Sequence, residues 1–167
     1  MLTEPLKLHR WRRARKAFKG LERAFEAHRA SHLGGTLAVG GSWAGPKTLF
    51  DDCPEPTIGL RKWLATLLPA GSWTIDAWGV LHQVGDRLTP HDHVKSHRGG
   101  NNLWAGVYWL DPAGDGDLFC YRMAADLVEV APVAGAALLF PADLVHSTTP
   151  ATQARRAIAF NVQAAGQ

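Results

Sequence analysis

His91 and His93, in the run Pro90-His91-Asp92-His93, are the residues of this 167-residue chain whose type and spacing most directly suggest chemistry. On an extended backbone, residues two apart project from the same face, so the two imidazoles converge on one point. Asp92 then points the other way and is the poorer ligand, although it is the motif's only carboxylate. A third ligand has to come from another strand. The stretch Leu139-Phe140-Pro141-Ala142-Asp143-Leu144-Val145-His146 offers His146 after a strand, a proline turn and a return. Three imidazoles suit zinc, copper, iron or nickel, so softness alone does not choose the ion. A packed, metal-free pair also stays open, but neighbouring buried histidines suppress each other's protonation and demand separate partners.

Arg155 is the second chemical signal. It opens the strand Arg155-Arg156-Ala157-Ile158-Ala159-Phe160-Asn161, nine residues after His146. An arginine at the root of a core strand is costly unless it meets an anion. A guanidinium aimed into a metal cavity is a two-point clamp for a carboxylate. Strand alternation lets only one of the two adjacent arginines face inward. Arg156 shares a face with Ile158 and Phe160, whereas Arg155 shares one with Ala157, Ala159 and Asn161. Small and polar residues suit a cavity wall, so Arg155 is the expected inward residue.

The elements that must position these groups are also legible. From Trp73 onward the chain breaks into short β-rich runs: Trp73–His82, Leu103–Leu110, Leu118–Met123, Leu127–Ala131, Ala136–Phe140 and Ala157–Gln163, separated by Gly, Pro and Asp clusters. Asp111-Pro112-Ala113-Gly114-Asp115-Gly116-Asp117 reads as a tight turn; it lacks the distal Glu of a calcium loop. Upstream, Trp11, Ala14, Phe18, Leu21 and Phe25 recur at steps of three and four, which predicts an amphipathic helix over about residues 6–30. Pro56-Thr57 starts a second helix carrying Ile58, Leu60, Trp63, Leu64, Leu67 and Leu68, and Pro69 with Gly71 stops it. The expected organisation is one domain, with residues 1–72 as helical cover and 73–163 as a β core.

Bulk properties narrow the function class. An apolar share of 46% is enough for an unassisted core, and no apolar run approaches the roughly 20 residues of a membrane span. With no signal-peptide pattern either, a cytoplasmic protein is expected. Cys53 and Cys120 are in no C-x-x-C spacing, which speaks against a disulfide framework or zinc knuckle. Residues 1–29 carry nine Lys/Arg against three Glu, whereas residues 30–167 carry nine against twelve acidic residues. The basic character therefore belongs to the first helix, and a broad nucleic-acid surface is not expected.

Taken in order, several stretches resemble the 2-oxoglutarate and Fe(II)-dependent oxygenases: Trp78, Gly85-Asp86, His91-Asp92-His93, Ala105-Gly106-Val107-Tyr108-Trp109-Leu110, Leu139-Phe140-Pro141 to His146, and Arg155 to Asn161. The likeness is to bacterial and phage forms with H-x-H and, more distantly, to prolyl hydroxylases, and it covers about residues 75–163. It implies a double-stranded β-helix, a jelly roll of the cupin kind. It implies Fe(II) on His91, His93 and His146, 2-oxoglutarate with its distal carboxylate on Arg155, and Tyr108 or Trp109 lining the cosubstrate pocket. Most such enzymes have a carboxylate as second ligand; here His93 stands in its place and raises the site charge by one. The implied reaction is hydroxylation of a small molecule or peptide side chain, with succinate and CO₂ released.

Trp78, Trp104, Trp109 and Phe140 are candidate apolar walls. The segment from His93 to Leu103, with Lys95, His97, Arg98 and Gly99-Gly100, is a candidate substrate lid, and His97 reads as a loop residue rather than a ligand. Two rival readings stay open. One is a cupin-like metal enzyme, a dioxygenase or isomerase, that does not use 2-oxoglutarate. The other is a non-enzymatic jelly-roll binder with the basic helix as an arm.

Overall fold

The computed structural model describes residues 5–35, 42–111 and 116–166, and the backbone of residues 38–39. The middle of the expected acidic turn, residues 112–115, lies outside the described residues. In chain order the elements are β1 (Leu8–Arg10), α1 (Ala14–Ser31), β2 (Ala38–Val39), β3 (Trp43–Ala44), α2 (Leu49–Asp52), α3 (Pro54–Ala65), β4 (Trp73–His82), β5 (Arg87–Leu88), β6 (Trp104–Trp109), β7 (Phe119–Met123), β8 (Asp126–Val130), β9 (Ala136–Pro141), β10 (His146–Thr148) and β11 (Arg155–Ala164). The major sheet runs β1-β9-β6-β11-β4-β3, a three-stranded sheet runs β10-β7-β8, and β2 pairs with β5. The named pairings are antiparallel. This is the mainly β architecture expected from the period-2 runs, and each strand predicted from Trp73 onward lies within three residues of an observed one.

Two apolar layers fix the arrangement. Strand alternation sends Ile158, Phe160 and Val162 of β11, with Ile75 of β4 and Tyr108 of β6, into a cluster with Leu21 and Phe25 of α1 and Leu60 and Leu64 of α3. The opposite face of the major sheet gives Ala105, Trp109, Leu138 and Phe140, which pack on Phe119 and Tyr121 of the smaller sheet. The helices therefore cover one face of the major sheet and the smaller sheet lies against the other. Gly79 in β4 allows α1 to approach, because a Cβ there would meet the Phe25 ring at 2.8 Å and the Trp43 ring at 2.9 Å.

The start of the chain departs from expectation. The structure makes residues 8–10 a strand on β9, in register Leu8↔Leu138 to Arg10↔Ala136, and starts the first helix at Ala14 rather than near residue 6. Trp11 continues the helical spacing but sits in the turn between the two elements. Its N–H donates to the Gly135 carbonyl at 3.0 Å, and its ring stacks on Trp63 at 5.7 Å. Long-range pairing overrides a local periodicity here. The second helix begins at Pro54 and ends at Ala65, after the short α2. Residues upstream of 73 thus contribute strands to the sheets as well as covering helices.

Candidate metal centre and adjoining anion pocket

His91 lies in the segment after β5, where its N–H donates to the His146 carbonyl and its carbonyl accepts from the His146 N–H, each at 3.0 Å. This antiparallel bridge brings a residue between β5 and β6 against the first residue of β10. The His93 N–H donates to Ala142 O at 2.8 Å, which anchors the next turn of the same segment. The ligand atoms of His91, His93 and His146 all lie within 4.8 Å of one another. Ring centroids are 4.4 Å apart for His91 and His146, and 5.1 Å apart for each of the other two pairs.

The partners of the rings decide which nitrogens are free. Nδ1 of His91 donates to Thr89 O at 2.7 Å, Nδ1 of His146 to Leu144 O at 3.0 Å, and Nδ1 of His93 to Asn161 Oδ1 at 2.8 Å. Carbonyl oxygens only accept, so each Nδ1 carries the hydrogen and each Nε2 keeps its lone pair. Burial, and secondarily the neighbouring His91, hold His93 down at about 4. Burial brings His146 down to about 3, against a hydrogen bond to Leu144 that raises it. Both rings are neutral near pH 7, the state a metal ligand requires. The walls are aromatic: Trp78 stacks on His93 at 6.0 Å, and Phe119 on His146 at 4.8 Å.

The cluster opens into a cavity of about 410 Å³. Arg155, Ala157, Ala159 and Asn161 line it from β11, as do Trp78, Trp109 and Phe140. Arg155 is 1% exposed. Its Nη1 donates to Asp117 Oδ2 at 3.0 Å and to Gly116 O at 3.2 Å. Its Nε and Nη2 are buried without a hydrogen-bond partner among the described residues. Arg156, on the other face, is held by Asp111, Glu22 and Glu26.

Tyr108 is a departure from the implied pocket. Ala157 pairs with Trp109 across β11 and β6, so Trp109 shares the cavity face and Tyr108 points the other way. Tyr108 packs against Trp11 and Trp63, and burial pushes its hydroxyl up to about 12. Trp104 likewise packs with the helix-side cluster rather than lining the cavity. The segment from 93 to 103 is tied down. Asn102 Nδ2 donates to His93 O at 2.6 Å, and Arg98 Nε donates to the buried Asp76 carboxylate at 2.8 Å. His97 stands on the same Asp76 at 3.6 Å and is no part of the three-histidine cluster.

Among the titratable residues lining the cavity, three were not singled out by the sequence. Lys47, before α2, lies 5.2 Å over the Trp78 ring with its ammonium pKa lowered by burial. His82 ends β4 and donates from Nδ1 to Asp117 Oδ1 at 2.8 Å. Asp117 thereby bridges His82 and Arg155. The Asp at the end of an apolar strand-turn boundary was the available signal, but a turn residue and a cavity residue look alike in sequence.

No protein-family model matches the chain, and no curated protein matches it. Solved structures do. A prolyl-4-hydroxylase from Pseudomonas putida superposes with a TM-score of 0.70 at 17% identity, over 98% of this chain and 95% of that one. A prolyl hydroxylase from Trichoplax adhaerens, in complex with a hypoxia inducible factor peptide fragment, gives 0.71 at 14% identity, over 96% and 84%. HygX from Streptomyces hygroscopicus with iron bound gives 0.70 at 13% identity, over 98% and 84%. The chain is thus folded as the double-stranded β-helix of the prolyl hydroxylases and other 2-oxoglutarate–Fe(II) oxygenases.

Proposed function

We propose that this chain is an Fe(II)- and 2-oxoglutarate-dependent oxygenase that hydroxylates a small molecule or a peptide side chain. The observation that carries the reading is the pairing, in one cavity, of three convergent imidazole lone pairs with a buried guanidinium of which two N–H groups have no partner among the described residues. Buried donors are rarely left unpaired in folded proteins, and a bound carboxylate supplies the missing acceptors. The donor set fits the implied groups: His91, His93 and His146 would hold iron, and Arg155 would hold the far carboxylate of 2-oxoglutarate beside Trp109. Those unpaired donors also favour this reading over a cupin-like enzyme with no dicarboxylate.

When bound, iron and 2-oxoglutarate supply O₂ activation and insertion of oxygen into a C–H bond, with succinate and CO₂ as co-products. The chain's own contribution is placement. Thr89, Leu144 and Asn161 orient the imidazoles through Nδ1 and keep Nε2 free of protons. Trp78, Phe119 and Phe140 surround them with apolar surface that limits water. The solved relatives span both substrate classes, since one holds a peptide fragment and another, HygX, holds hygromycin B.

Anaerobic titration with Fe(II) and then 2-oxoglutarate tests this. A weak visible charge-transfer band should appear in the wild type and be lost in Arg155→Ala and His146→Ala. A wild-type protein that binds iron yet never develops the band would exclude 2-oxoglutarate and leave the cosubstrate-independent alternative. Succinate release against candidate substrates then reads turnover.

A further inference from the structure

The anion pocket is not a simple cationic clamp. Asp117 sits against Arg155 at 3.0 Å, with both side chains almost fully buried, so its carboxylate cancels the guanidinium charge. Asp117 adopts φ 58°, a left-handed conformation uncommon for a non-glycine residue, while contacting both Arg155 and His82. His82 and Arg155 are direct cross-strand partners on β4 and β11, so their side chains rise from the same face as neighbours. His82 Nε2 is buried and, like Arg155 Nε and Nη2, has no hydrogen-bond partner among the described residues. All three residues line the same cavity.

The tautomer of His82 follows from Asp117. A carboxylate only accepts, so Nδ1 carries the hydrogen and Nε2 of a neutral ring presents a lone pair. A lone pair repels an incoming carboxylate, whereas an imidazolium offers it a donor. With Arg155 and Asp117 already cancelling, an added anion leaves the buried pocket one negative charge out of balance unless a proton arrives with it.

We infer that His82 is a specificity-determining residue of the anion pocket, and that a dicarboxylic 2-oxo acid binds there together with one proton, held on His82 as the Nε2 donor. This inference rests on the proposed function. Among the described residues, Asp117 and Arg155 are the charged groups that face His82 directly. Asp86, in the turn after β4, is engaged by Ser42 Oγ and Gln83 N at 2.8 Å each, and β3 presents only Trp43 and Ala44. Lys47 and the three clustered histidines line the same cavity.

Calorimetry of Zn(II)-loaded protein with 2-oxoglutarate, run at pH 8 in buffers of different ionisation heat, measures the proton directly. Uptake should approach one proton per ligand. Pyruvate, which shares the metal-chelating end and lacks the distal carboxylate, should take up none. The 2-oxoglutarate Kd should weaken about tenfold per pH unit on its alkaline limb. His82→Gln, whose amide donates without a proton, should flatten that limb and abolish uptake, and Asp117→Asn should do the same by removing the cancelling charge. Equal proton counts for the two acids, or an alkaline limb that survives in both variants, would overturn the inference while leaving the proposed function standing. A Zn(II)-loaded wild type that binds pyruvate and 2-oxoglutarate equally weakly, or neither, would overturn both.

Discussion

The two faces of β11 are built from alternate residues of one strand, yet they solve opposite problems. Toward the helices, Ile158, Phe160 and Val162 are almost fully buried in an apolar cluster, and Arg156 on that face finds acceptors from Asp111, Glu22 and Glu26. Toward the cavity, Ala157 and Ala159 leave space, Asn161 steers His93, and Arg155 has two donors without a partner among the described residues. Adjacent arginines therefore have different fates. Arg156 joins sheet to helix, whereas under the proposed function Arg155 would meet a bound carboxylate. The contrast teaches that the satisfaction of polar atoms, more than residue type, separates a structural residue from a binding one.

The comparison can be broken from either side. Phe160→Ala strikes the helix face and should cost about 3–5 kcal/mol of unfolding free energy in denaturant titration. Metal affinity of the folded fraction should be unchanged; a loss of metal binding would mean the two faces are not separable. The cavity face should give the metal-free protein a pH signature. His93 and His146 sit near 4 and 3 when folded, below the ordinary 6.5, so the unfolded chain binds protons that the fold refuses. Stability from these groups is complete above about pH 6.5 and should fall as pH drops toward 4, by about 1.4 kcal/mol per pH unit for each proton taken up. Denaturation midpoints that stay level over that window would contradict the burial of these rings.

Asn161→Ala removes the group that orients His93 and should weaken Zn(II) affinity about tenfold, read by competition with a chelating dye. An unchanged affinity would show that the Nδ1 bond does not matter. The smallest effect is expected of Arg156→Ala. It loses partly exposed ion pairs and should cost about 1 kcal/mol of stability, with 2-oxoglutarate affinity retained. If it instead lost the cosubstrate as Arg155→Ala should, the assignment of the two faces would be reversed.

Much of this was legible before any coordinates. Period-2 runs from Trp73 onward marked the β core, and the H-x-H spacing with a distal histidine marked the cluster, because both signals are local and the relevant geometry is fixed by strand alternation. The inward facing of Arg155 was readable for the same reason, since its strand carries small residues on one side. What escaped depended on pairing between distant segments. Tyr108 and Trp109 are adjacent, and only the register of β6 on β11 says which of them faces the cavity. The Trp11 stripe imitated a longer helix, while the partner that makes residues 8–10 a strand is more than a hundred residues away. The link from His82 through Asp117 to Arg155 joins three chain segments and has no spacing signature at all.

The short β1 has a consequence for the molecule's solubility. It occupies the outer side of β9, whose sequence Ala136-Ala137-Leu138-Leu139-Phe140 is uncharged and apolar. Without residues 8–10 that strand would present a row of unpaired N–H and C=O groups along a hydrophobic template, the arrangement that recruits other chains into intermolecular sheets. Trimming the chain up to the first helix would then convert a self-contained fold into an aggregation seed while leaving the metal cluster's own residues intact.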